Sequence, residues 1–232
     1  YLRLEAGRSD DTATGGAVTM ESGEGSATTS GSVKIKSANA GTAGASGMLV
    51  FSSGTASSGN SGLVMIGSGA ATKGRGGSVA LTVGSGTSGA GGYLRLEAGR
   101  SDDTATGGAV TMESGEGSAT TSGSVKIKSA NAGSAGASGK LVFSSGYSTT
   151  GNSGAIYIGS GVGASGKGGA ISVTAGDGDS GNGGAISIGA GSTSMAQSTG
   201  GSISVVSGSS TGSAGSDGGA LFAAAGAGLK DT

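Results

Sequence analysis

Two glycine-rich stretches carry the spacing of phosphate-binding loops. Gly84-Ser-Gly86-Thr-Ser-Gly89 matches the GxGxxG pattern, and Gly161 to Lys167 (GVGASGK) approaches a P-loop. The GxGxxG fingerprint works only when a helix follows, because the helix N-terminus places the phosphate. No helical periodicity follows Gly89, and Gly168 stands where a P-loop needs Ser or Thr. With 56 glycines in 232 residues such matches arise from composition, and both stretches read as turns.

The acidic groups are Ser9-Asp10-Asp11, its copy Ser101-Asp102-Asp103, and Asp177-Gly178-Asp179-Ser180-Gly181-Asn182. Carboxylates on turns can ligate Ca²⁺, and nonapeptide calcium rolls place an Asp in every repeat. Here most repeats lack one, so these groups read as solvated turns rather than a metal site. Catalysis has little to draw on. The chain has no His and no Cys, and no base is identifiable beside any of its many serines. The expectation is a non-enzyme with no catalytic, cofactor-binding or metal-ligating residue and no cofactor. No Asn opens an N-x-Ser/Thr sequon, so N-glycosylation is not expected.

The residues that would position any site are organised by repetition. Tyr1 to Gly47 recurs at Tyr93 to Gly139 with one change, Thr42 to Ser134, an offset of 92 residues. The copy runs on through Gly184, more diverged, and a third begins at Ala185 and soon loses register. Within the 92 residues lies a shorter unit: small residue, apolar, variable, apolar, variable, small, Gly. YLRLEAG, AVTMESG, SVKIKSA, MLVFSSG, LVMIGSG and SVALTVG are examples. The first apolar positions are Leu2, Val18, Val33, Leu49, Val64 and Val79, then Leu94, Val110, Val125, Leu141, Ile156, Ile171, Ile186, Ile203 and Leu221. They are spaced 15 or 16 residues apart up to Ile186, and 17 and 18 after it.

Period-two alternation is the strand signature. Val18 and Met20 fall on one face, Thr19 and Glu21 on the other. Strands of about seven residues, separated by eight or nine of Gly, Ser, Thr and Ala, align their apolar faces most directly by stacking at about 4.8 Å. The expected fold is therefore all-β, a parallel β-solenoid of about fifteen coils with 15–16 residues per coil and a 92-residue six-coil super-repeat. It would be one continuous solenoid over 1–232, with super-repeats at 1–92 and 93–184 and a partial, diverged third at 185–232. Differences between the copies agree with this. Inward positions change conservatively (Val64 to Ile156, Val79 to Ile171), and outward ones freely (Met65 to Tyr157, Met48 to Lys140). Stacking would also set Glu21 near Lys34 and Lys36, each such pair contributing about 0.2–1 kcal/mol.

Composition narrows the class further. Pro and Trp are absent, aromatic residues make up 3%, charged residues 12%, and the formal net charge is −1. Proline removes a ladder hydrogen bond, so its absence suits a chain of internal strands. Collagen is excluded, because Gly is not at every third position. The near-zero charge gives no sign of a nucleic-acid partner. The longest apolar run, Leu221 to Leu229, is too short to cross a membrane. A start at Tyr1 rather than Met reads as a fragment or processed product of a longer protein.

Units such as GGAISVTAGDGDSGNGGAISIGAGS and GGSISVVSGSSTGSAG resemble the Gly/Ser/Thr-rich repeats of very large secreted or cell-surface proteins of diatoms and other stramenopile algae. Bacterial repeat adhesins look similar. The resemblance covers nearly the whole chain, and it implies an extracellular wall, filament or adhesive component. It assigns no site residues.

The functional expectation is a structural or adhesive protein forming an extended rod or filament outside the cell, self-associating end to end or side by side. The alternatives are an ice-binding solenoid and a polysaccharide- or mineral-binding surface. The outward row Arg3, Thr19, Lys34, Val50, Met65 lacks the steady Thr array that ice binding favours. Carbohydrate binding would draw on the exposed aromatics Tyr1, Tyr93, Tyr147, Tyr157 and Phe222.

Overall fold

The computed structural model describes residues 2–211 and 217–226. Tyr1 and the C-terminal part of the LFAAAGAGLKDT tail lie outside the described residues. The chain divides into two units, Tyr1–Glu113 and Ser114–Thr232.

The repeat appears in both units as a series of bends. In the first they fall at 10–13, 26–28, 42–44, 57–59, 72–74, 87–89 and 102–105. In the second they fall at 118–120, 134–136, 149–151, 164–166, 179–181 and 195–197. Each lies in the Gly/Ser/Thr-rich part of its repeat, where glycine accepts conformations other residues resist. Gly44 sits at φ +121° and its copy Gly136 at φ +115°. Gly25 and its copy Gly117 are required by close approach instead. A Cβ on either would lie 2.6 Å from the carbonyl oxygen of Thr29 or Thr121.

Many bends are closed by one backbone hydrogen bond between the glycines that flank them. In the first unit the N–H groups of Gly16, Gly31 and Gly108 donate to the carbonyls of Gly7, Gly23 and Gly99 at 2.8–2.9 Å, and Gly92 donates to Gly84 at 3.5 Å. In the second, Gly123, Gly184, Gly201 and Gly219 donate to Gly115, Gly176, Gly191 and Gly208 at 2.8–2.9 Å. Where the flanking residue is a serine, its hydroxyl can take over. Ser68 Oγ donates to the Gly77 carbonyl at 2.8 Å, and the repeat-equivalent Ser160 Oγ to Gly169 at 2.7 Å. Each closed segment has its ends together, the defining feature of an Ω-loop.

The apolar segments between these loops do not pair. Among the described residues there is no strand and no helix. The expected parallel β-solenoid is thus overturned: among the described residues no sheet forms and no hydrophobic side chain is buried. The chain exposes 22795 Å². A folded globular monomer of this mass, 21.0 kDa, exposes about 9,000 Å², and its extended chain about 30,000 Å². The exposed surface lies nearer the second value. Alternation survives only locally: Val64 is 49% exposed and its neighbour Met65 84%.

The physical reason lies in the far wall. Return segments such as SATTSG and TASSGNSG offer only Ala, Ser, Thr, Asn and Gly to face Val, Ile and Leu. Two large side chains per repeat would contribute about 1.5–3 kcal/mol each if fully buried. Against them stands the ordering of some fifteen residues, rich in the residue that loses most entropy on folding. A nearby glycine carbonyl offers many of the loops a local closure, and the non-local ladder does not form.

The expected pairing of Glu21 with Lys34 and Lys36 is absent as well. Ion pairs in the first unit join residues two apart: Arg3–Glu5 at 2.7 Å, Arg8–Asp10 at 2.6 Å, Arg95–Glu97 and Arg100–Asp102. All are solvent-exposed, so each adds little.

Candidate functional site

The two phosphate-loop look-alikes are bends. Over 84–92 the chain turns at 87–89, and a Cβ on Gly86 would lie 2.6 Å from the Gly89 carbonyl oxygen. Over 160–169 it turns at 164–166 beneath the Ser160–Gly169 hydrogen bond, and a Cβ on Gly163 would lie 2.5 Å from the Lys167 carbonyl oxygen. Carbonyls crowd the position where a phosphate loop would present amides.

The acidic turns engage their own neighbours. Asp11 Oδ1 accepts from the Ala13 N–H and from Ser9 Oγ, both at 2.9 Å. These bonds, the Ala13 amide first, stabilise the ionised carboxyl and lower its pKa below the ordinary aspartate value. Asp10 is held by Arg8. In the copy, Arg100 Nε donates to Asp102 at 2.6 Å, and Asp103 accepts from the Thr104 N–H at 2.8 Å. Among the described residues no group of three or more acidic side chains gathers as a metal cage would require.

What the sequence does not announce is a pair of apolar clefts. In the first unit Phe51, Val64, Met65 and Ile66 line a cleft of about 360 Å³. In the second, Phe143, Ile156, Tyr157 and Ile158 line one of about 340 Å³. Each residue of the second set stands 92 positions after its counterpart, so one piece of local structure occurs twice. A signal was available: Phe occupies the second apolar position only in MLVFSSG and its copy KLVFSSG, among the regularly spaced units. The lining offers few of the polar groups that orient a specific small ligand. It suits non-directional apolar contact.

In other repeats the apolar rows are open as well. Val18, Met20, Val33, Ile35, Val125 and Ile127 each keep about half or more of their surface exposed. The charged residues Glu21, Lys34 and Lys36 beside them are exposed and make no ion pair. Among the described residues no helix is long and apolar enough to cross a membrane.

Comparison of the chain with family models, curated proteins and solved structures finds no match.

Proposed function

We propose that the chain is a non-catalytic structural or adhesive repeat protein acting outside the cell, whose working form is an assembly of many chains. One observation carries this reading. Apolar side chains recur every 15 or 16 residues and stand exposed, including two equivalent clefts 92 residues apart. Contiguous exposed apolar surface marks a contact site, and repetition along one chain makes such contacts multivalent. The absence of His and Cys from the sequence leaves acid–base and thiol chemistry little to use. The resemblance to large secreted repeat proteins supports the extracellular setting. Sedimentation velocity over a wide concentration range, with electron microscopy of the concentrated protein, tests the reading. Growth into extended assemblies supports it, and a monomer at every concentration overturns it.

A second reading has its own support. Tyr93, Tyr147, Tyr157 and Phe222 are 86–93% exposed, as aromatic platforms for sugar rings would be. Retention of the full chain on insoluble wall polysaccharide, lost when these four residues become Ala, would favour it over self-association alone.

A further inference from the structure

We infer that the partner of this chain is a second copy of itself, held with the Val18–Glu21 segment of one copy against the Val33–Lys36 segment of the other. The inference rests on the assembly reading above and adds to it the pairing rule. Three observations carry it.

The first is that both segments are open along their length. Val18 and Met20 in one, and Val33 and Ile35 in the other, keep about half or more of their surface exposed. Each pair is spaced two residues apart, so the two apolar pairs match in length. Their contact would remove from water the surface that the isolated chain leaves wet.

The second is charge. Glu21 adjoins the first apolar pair, and Lys34 and Lys36 flank the second. None of the three makes an ion pair within its own chain, although Arg3, Arg8, Arg95 and Arg100 all find acidic partners two residues away. Pairing of like segments would set Glu21 against Glu21 and lysines against lysines, which is destabilising. Side-by-side, in-register pairing of the unlike segments, with the apolar residues on one face, sets Glu21 on the other face against Lys34 and Lys36. Charge therefore selects between alignments that apolar contact alone would leave equivalent.

The third is recurrence. Val110, Met112 and Glu113 repeat the acidic segment 92 residues on, and Val125, Lys126, Ile127 and Lys128 repeat the basic one. Every copy thus carries both halves of the contact twice. A chain with two acidic and two basic segments joins more than one neighbour, so pairing propagates into an assembly rather than stopping at a dimer.

The test uses two variants of the full chain. One carries Glu21→Lys and Glu113→Lys, and the other Lys34→Glu, Lys36→Glu, Lys126→Glu and Lys128→Glu. Association is read by sedimentation velocity at low salt, for each chain alone and for an equimolar mixture. Each variant alone should associate about tenfold or more weakly than the natural chain, because every reversal replaces attraction by repulsion at two repeats. The mixture should recover the natural affinity, and added salt should weaken it. If the natural chain associates but the variants match it, or the mixture fails to recover, the pairing rule is overturned and self-association stands. If the natural chain stays monomeric, both fall.

Discussion

Gly7 and Gly16 are joined by a single backbone hydrogen bond, with the Gly16 N–H donating to the Gly7 carbonyl at 2.8 Å. That one bond closes the loop carrying Arg8, Asp10 and Asp11. The identical sequence at 99–108 closes in the same way, Gly108 to Gly99, also at 2.8 Å. The repeat therefore contains local closures, this one specified by glycines at both ends.

Replacing Gly16 by Pro removes the donor, and the added Cβ would lie 3.0 Å from the Gly7 nitrogen. The loop should open, with a loss of about 0.5–1.5 kcal/mol from the missing bond. Gly108 is an internal control, because its loop has the same sequence and is untouched. Amide exchange followed by NMR should show faster exchange within 8–15 and no change within 100–107. Equal change in both loops would mean that closure is not local.

Much of this organisation is legible in the residues. The 15- and 16-residue spacing of Val18, Val33, Leu49 and Val64 reappears in the spacing of the bends, because Gly, Ser and Thr cluster between apolar pairs. Alternation at Val64 and Met65 also survives as unequal exposure. What alternation cannot specify is the partner. It says that Val64 has a face, and not whether another segment of the same chain meets it. That depends on the opposing wall, where TASSGNSG has nothing large to offer. The clefts were hidden for a related reason. Phe51 and Ile66 read as two apolar positions among the many of the repeat, and only local bending brings them together.

Asp11 provides a pH test. Its ionised carboxyl accepts from Ala13 N–H and Ser9 Oγ, so its pKa is lowered. A group with a depressed pKa in the ordered state stabilises that state above its ordinary pKa, and the effect fades as pH falls through the depressed value. The 9–13 turn should therefore hold at neutral pH and loosen only in acid, below the ordinary aspartate range. Carboxyl-carbon NMR titration should give a midpoint for Asp11 below that range. Ser9→Ala should raise it only in part, because the Ala13 amide, the larger cause, remains. An unchanged midpoint in Ser9→Ala would show that the hydroxyl does not bond the carboxylate.

The lack of a core sets the thermal behaviour of the separate chain. Cooperative unfolding needs apolar surface that is buried when folded and exposed when not, and its heat-capacity change scales with that surface. Among the described residues no hydrophobic side chain is buried. Gly7–Gly16, Gly31–Gly23 and their equivalents can open one at a time, since each is closed by its own bond. Calorimetry at concentrations where the chain sediments as a monomer should show a gradual change with no heat-absorption peak. A packed domain would instead absorb about 0.7 kcal/mol per residue in one sharp transition. If assembly buries the rows at Val18, Met20, Val33 and Ile35, a peak should emerge as concentration rises and shift upward with it, as mass action requires. A sharp peak in the monomer, independent of concentration, would contradict the open arrangement of these rows.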